Sequence, residues 1–251
     1  MAHLGNSIFV AAIDFGTAYS GYAFASKQDY ACDPPKYSTN TWQGSKLLSH
    51  KAPTAVLLDE NKELVSFGYE AENQFSDLLS DNEHQAHFYF HQFKMFLHNQ
   101  RVTRTTEIKD FMGKSMQALT VFSLTIRYLK KHCLAKIQRD AKGMILDEDL
   151  YFVLTVPAIW DDPAKLFMRE AAEQAGIKKE KLTIALEPEV ASIYCQTLKT
   201  GRVEDTTDLT ETGMKYMVID LGGGTADITV HQRQFDGTIH EVIPPDGGPW
   251  G

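Results

Sequence analysis

Apolar positions along this chain repeat with two periods, and the places where the period changes outline its elements. Short apolar runs bounded by Gly, Pro, Asp or Asn predict strands at 8–14, 20–25, 54–58, 64–67, 150–156, 182–186 and 238–243, and a hairpin over 216–232. The run Leu-Tyr-Phe-Val-Leu-Thr-Val at 150–156 is continuous, the mark of a strand buried on both faces. Helical spacing is expected at 69–79. Between 110 and 139, Met112, Met116, Leu119, Phe122, Ile126, Leu129, Cys133 and Ile137 recur every three or four residues, which predicts one long amphipathic helix. Asp161, with Pro163 in the first turn, opens a helix that carries Phe167, Ala171 and Ala175 inward and stops at Gly176. Another helix is expected from Glu187-Pro188 through Leu198, closed by Gly201. Residues 26–52 read as loops with room for a short edge strand, and the acidic stretch 202–213 as an exposed loop that marks the best domain boundary. Strands that alternate with helices make this an α/β chain.

Two strand ends carry unusual chemistry. Val218-Ile219-Asp220-Leu221-Gly222-Gly223-Gly224-Thr225-Ala226-Asp227 is an apolar strand, a carboxylate, a glycine turn and a second strand. Glycines let backbone amides approach a polyphosphate without intervening side chains. Asp220 and Asp227 bracket the turn, as suits a Mg²⁺ ion that keeps most of its waters. Glycines also serve plain turns, so this stretch alone leaves both readings open. Near the N-terminus the order returns: Val10-Ala11-Ala12-Ile13-Asp14-Phe15-Gly16-Thr17-Ala18-Tyr19-Ser20-Gly21 is again strand, Asp, Gly-Thr and strand. A pair of such hairpins points to one phosphate chain clamped from both sides.

Composition narrows the class. A chain of 251 residues, 43% hydrophobic and 23% charged, is long enough to bury a real core. Its net charge of −8 argues against nucleic acid or an anionic membrane surface as a general partner. No apolar run reaches the length of a membrane span, and the N-terminus has no signal-sequence pattern. Cys32, Cys133 and Cys195 are odd in number and widely spaced, which favours free thiols and the cytoplasm. His84, His87, His91 and His98 lack the companions of a zinc set, and their segment reads as polar and partly exposed. Lys94, in Phe-Lys-Met-Phe, is either a snorkelling surface lysine or one that reaches into a cleft toward a transferring phosphoryl group. Glu187 sits where a strand hands over to a helix, a place for function or for simple N-terminal capping.

Five stretches in order carry a resemblance. Ile13-Asp14-Phe15-Gly16-Thr17-Ala18-Tyr19-Ser20 resembles the first phosphate loop of the heat-shock-70 superfamily, and Pro53-Thr54-Ala55-Val56 with Phe67-Gly68-Tyr69-Glu70-Ala71 the strand and helix that follow it. Val153-Leu154-Thr155-Val156-Pro157-Ala158-Ile159-Trp160, Glu187-Pro188-Glu189-Val190-Ala191 and Ile219 to Asp227 resemble its strand-to-proline connection, hinge glutamate and second phosphate loop. The Phe-Lys-Met segment and the Gly-Gly-Pro-Trp-Gly stretch are similar to the divergent family member 12 branch.

The resemblance implies an actin-like ATPase (ribonuclease H-like) fold. Residues 1–213 would form the first lobe, with a subdomain inserted at about 26–115, and 214–251 the start of the second. It implies ATP or ADP with Mg, slow hydrolysis coupled to opening and closing of the lobes, and a chaperone of the stress response whose protein partners the sequence does not name. By position, Gly16, Thr17, Ala18, Tyr19, Gly222, Gly223, Gly224 and Thr225 match the phosphate loops. Asp14 and Asp220 match the carboxylates that hold Mg largely through water, and Lys94, Glu187, Asp220 and Asp227 the catalytic set. Ala18 stands where familiar members carry a second threonine, and Ala226 where they carry an aromatic residue. The family's adenosine-binding portion lies outside this stretch, so the chain alone is expected to bind nucleotide weakly. A non-enzymatic scaffold or adaptor, and a sugar kinase of the same superfamily, are the competing functions. No sugar-binding set is visible, and the absence of GxxxxGK[ST] sets the P-loop enzymes aside.

Overall fold

A computed structural model describes residues 5–44, 48–98, 102–197 and 211–251. The chain begins with the hairpin β1 (Phe9–Phe15) and β2 (Tyr19–Ser26), closed in register from Phe9 opposite Ser26 to Phe15 opposite Ser20. The loops of 26–52 carry a one-turn helix α1 (Lys27–Tyr30) and the two-residue strands β3 (Ser38–Thr39), β4 (Trp42–Gln43) and β5 (Leu48–Ser49), of which β3 is the short edge strand beside β2. After them β6 (Ala52–Pro53) pairs with the start of β2. The hairpin β7 (Ala55–Leu58) and β8 (Leu64–Phe67) leads into α2 (Tyr69–Ser80).

The histidine-bearing segment holds two elements that its pattern does not predict. Phe88–His91 is a strand, β9, on the free edge of β7, and residues Phe93–Leu97 form a 3-10 turn with Phe93, Lys94 and Leu97 buried. Its aromatic residues, more than its histidines, decide its burial. The long helix is also shorter than its spacing predicts. Residues 107–117 form a hairpin, β10 (Glu107–Lys109) and β11 (Ser115–Gln117), and α3 starts only at Ala118 and runs to Ala141. Gly113 at φ +83° turns the chain. The Asp110 carboxylate accepts the amides of Met112 and Lys114, satisfying a turn where a helix would leave them inside its ladder.

Next come β12 (Leu150–Val156), α4 (Asp162–Gln174), β13 (Leu182–Leu186) and α5 (Glu187–Thr197). The Asp161 carboxylate accepts the Ala164 N–H at 2.9 Å, and Gly176 at φ +89° follows the helix end. The expected closure of α5 at Gly201 and most of the acidic loop lie outside the described residues. The last sheet is β14 (Lys215–Leu221), β15 (Ala226–Arg233) and β16 (Ile239–Gly248). β16 runs five residues past its expected end. Val230 faces Ile243 and Ile228 faces Asp246, so Pro244 and Pro245 sit together opposite Thr229 in a bulge of an edge strand, where prolines are tolerated.

The central sheet has the order β13-β12-β1-β2-β3, parallel across β13, β12 and β1. Helices α3 and α4 pack together, and α3 lies against β1 and β2. Stacked and edge-on rings of Phe15, Phe93, Phe122 and Phe167 tie β1, the 93–97 turn and both helices into one core. Each such ring, fully buried, contributes about 1.5–3 kcal/mol.

Candidate functional site

The parallel register gathers the acidic groups at one end of the sheet. Ile13 pairs with Leu154 and Val156 with Leu186, so Asp14, Thr155 and Glu187 emerge together at the C-terminal ends of adjacent strands. Open α/β sheets place ligands at that edge. Thr155 Oγ1 donates to Asp14 Oδ1 at 3.2 Å, and Lys51 Nζ lies 2.5 Å from Asp14 Oδ2.

Two glycine turns meet above these carboxylates. At Gly16 a Cβ would lie 2.1 Å from the Tyr19 carbonyl oxygen, so the first turn admits no side chain. Thr54 braces it: its amide donates to Ala18 O at 2.8 Å and its hydroxyl to Gly16 O at 2.7 Å. That hydroxyl has spent its proton, so the buried Ser20 hydroxyl at 2.7 Å donates to it. The second turn is closed by Gly222 N–H to Thr225 O at 2.9 Å. A Cβ on Gly223 would stand 2.6 Å from Ala18 Cβ, and one on Gly224 would stand 2.5 Å from Thr17 Cγ2 and 2.8 Å from Met95 Sδ. The two turns and the 93–97 turn therefore touch. Thr17 is buried here, whereas Tyr19 projects half-exposed.

Lys94 is 2% exposed, donates to Glu187 Oε1 at 2.8 Å, and has its ammonium 5.2 Å from the centre of the Trp160 ring. It is buried and ion-paired, so the snorkelling surface reading is corrected. Phe93 and Leu97, locked in the core on either side, hold it there. Burial raises the Glu187 carboxyl above the usual range, Lys94 pulls it back, and Asp14 and Asp220 push it up again. Asp220 and Asp227 sit directly opposite on β14 and β15. Both are raised, first by burial and then by neighbouring carboxylates, Asp14 for Asp220 and Asp220 for Asp227. Asp227 Oδ2 accepts the Ala158 N–H at 3.0 Å, while its Oδ1, buried, finds no partner among the described residues.

These residues fit a magnesium nucleotide. The glycine turns leave backbone within reach of phosphate oxygens, the donor set is all carboxylate and hydroxyl oxygen, and Asp227 keeps one oxygen unpaired. Among the described residues no group of three or more His, Cys, Asp or Glu could hold a metal. A Mg²⁺ ion here would thus depend on waters and phosphate oxygens to complete its shell. Lys51, Thr54, Thr155 and Trp160 join the site although no pattern singled out their roles. Thr54, Thr155 and Trp160 at least lie inside the resembling stretches, whereas Lys51 gives no signal by spacing.

No family model matches the chain. The fold is that of the actin-like ATPases: MreB5 of Spiroplasma citri, solved bound to ADP, superimposes with a TM-score of 0.52 over 97% of this chain and 53% of its own, at 13% identity. Within that class the chain belongs to the heat-shock-70 superfamily. It is 36% identical to human heat shock 70 kDa protein 12B over 96% of its length and 34% identical to human 12A over 97%. It is also 34% identical to chaperone protein DnaK of Methanothermobacter thermautotrophicus over 57% of its length. It spans 42–43% of the two human relatives. No helix among the described residues is long and apolar enough to cross a membrane.

Proposed function

We propose that this chain is the ATP-binding part of a heat-shock-70-like nucleotide switch, with residues up to 213 in the first lobe and those from 214 opening the second. The observation that carries this reading is the meeting of the two glycine turns, Gly223 on Ala18 and Gly224 on Thr17 and Met95, directly beside the Lys94–Glu187 pair. Backbone amides of Gly16–Ala18 and Gly222–Thr225 would cradle the phosphates, with the Thr17 and Thr225 hydroxyls as added donors. Asp14 and Asp220 would hold metal-bound waters, and Glu187 would orient one of them. Asp227, with its free oxygen, would position an attacking water. Lys94 places a fixed positive charge where negative charge grows. Bound Mg-ATP would supply the γ-phosphoryl group and the metal charge that neutralises it during in-line attack. Most of the rate would come from positioning, and the likeness to heat-shock-70 proteins supports slow turnover coupled to lobe movement.

The test is a calorimetric titration of Mg-ATP into the full-length protein and its Gly224→Val variant, with single-turnover hydrolysis for Lys94→Ala. Gly224→Val should abolish binding, because its side chain collides with Thr17. Lys94→Ala should slow hydrolysis by about 100-fold or more with little change in affinity. Wild-type affinity in Gly224→Val would move the nucleotide elsewhere. A well-folded wild type that binds no nucleotide would favour the adaptor reading.

A further inference from the structure

Lys51 reaches the acidic end of the sheet by a route that the backbone has prepared. β6 runs antiparallel to the start of β2, with Tyr19 opposite Pro53 and Ser20 opposite Ala52, which brings Lys51 alongside Gly21. Gly21 in turn faces Asp14 in the β1–β2 register. A Cβ on Gly21 would stand 3.2 Å from Lys51 Cγ and 2.8 Å from the His50 carbonyl oxygen. The missing side chain is the groove through which the Lys51 stem crosses the hairpin to Asp14 on the neighbouring strand.

Charge gives this arrangement a purpose. Asp14, Glu187, Asp220 and Asp227 converge, and the buried cation among them, Lys94, is committed to Glu187. Lys51 is a second cation among the described residues, its ammonium set against the Asp14 carboxylate. Its side chain is still 51% exposed, so the ammonium can leave without breaking the core. A lysine suits the task, being a compact charge on a flexible stem.

We propose that Lys51 is a resident counter-cation: it covers the Asp14 oxygen that a divalent metal would use, keeps bare metal out, and yields that oxygen when nucleotide arrives with its metal. A metal alone must displace the ammonium and gives it nothing in return. A nucleotide reverses the balance, because its phosphate oxygens offer the released ammonium new partners. The inference rests on the ATP-site reading for the identity of the incoming group, while its effect on bare metal can be measured without nucleotide.

The experiment is Mn²⁺ binding to the nucleotide-free full-length protein, followed by the electron paramagnetic resonance signal of free Mn²⁺, for wild type, Lys51→Met and Lys51→Arg. Lys51→Met should bind Mn²⁺ on the order of tenfold more tightly than wild type, and Lys51→Arg should stay near wild type. Matching thermal melts would show that the fold is unchanged. Equal Mn²⁺ affinity in wild type and Lys51→Met would overturn the proposal. So would a Lys51→Met variant that loses Mg-ADP affinity while its Mn²⁺ affinity stays put, because Lys51 would then be a plain phosphate ligand. Tighter Mn²⁺ binding in Lys51→Met beside a wild type that never binds Mg-ATP would sustain the counter-cation and sink the ATP reading instead.

Discussion

Asp227 is 2% exposed, directly opposite Asp220, with one oxygen on the Ala158 N–H and the other unpaired among the described residues. Like charges at facing positions of a hairpin destabilise it, and burial adds to the penalty. The sign of the pH effect follows. The Asp227 pKa is raised in the folded state, by burial first and by Asp220 among the further causes. Its protonated form therefore stabilises the fold fully below the ordinary aspartate value of 3.8, and that contribution is lost as pH rises through the elevated pKa. Asp227→Asn, which keeps an oxygen for Ala158, should make the metal-free protein more stable at pH 7.5 by about 1 kcal/mol, with a smaller gain at pH 4.5. Chemical denaturation in the presence of a chelator at the two pH values measures this. A loss of stability at both would mean that the unpaired oxygen has a partner the geometry does not show. Candidate residues of this kind are legible in sequence because Asp-x-Gly-Gly-Gly-Thr-x-Asp is local. Their cost is not, because it depends on what lies across the hairpin.

At the scale of elements, the 93–97 turn shows how a single short segment sets the site. It has no run of helical spacing, so the sequence leaves Lys94 between two readings. Burial of Phe93 against Phe15 and Phe122 decides between them. Phe93→Ala should cost about 3–5 kcal/mol of stability and loosen the Lys94–Glu187 pair with it. Leu97→Ala removes core on the same turn and serves as the control. Hydrolysis in Phe93→Ala should fall further than in Leu97→Ala when both are compared at temperatures where each remains folded. Equal falls would make the turn a passive support.

The same scale explains what was readable. The cap at Asp161, the buried strand Leu150–Val156 and the two Asp-Gly-Thr hairpins are written locally, and each lies within a residue or two of where its pattern predicts. Met112 and Met116 imitate helical spacing by accident, and the Asp110–Gly113 turn overrides them. Lys51 lies far from Asp14 in sequence and reaches it only through the pairing of β6 with β2 and the gap at Gly21. No spacing rule could have joined them.

For the whole molecule, α5 is the element that both sheets share. It begins with Glu187 at the end of β13 and packs against β14 and β15 as well as β13. On its far side the Tyr216 hydroxyl lies 3.4 Å from Ser192 Oγ, and Gln196 Nε2 donates to Tyr216 at 3.1 Å. A ligand held by both glycine turns would therefore act on three separate stretches of chain and on the helix between them. Such a ligand stabilises the folded form by mass action, by about 2.7 kcal/mol at a hundredfold excess over its Kd. Hydrogen exchange with Mg-ADP should accordingly show joint protection of residues 14–21, 93–97 and 219–227, with α5 following. In Lys94→Ala the two glycine turns should still be protected while α5 falls behind, because its first residue has lost the partner that ties it to the 93–97 turn. Protection confined to one turn would mean that the two hairpins do not hold one ligand, and the contact of Gly224 with Thr17 would then be packing alone.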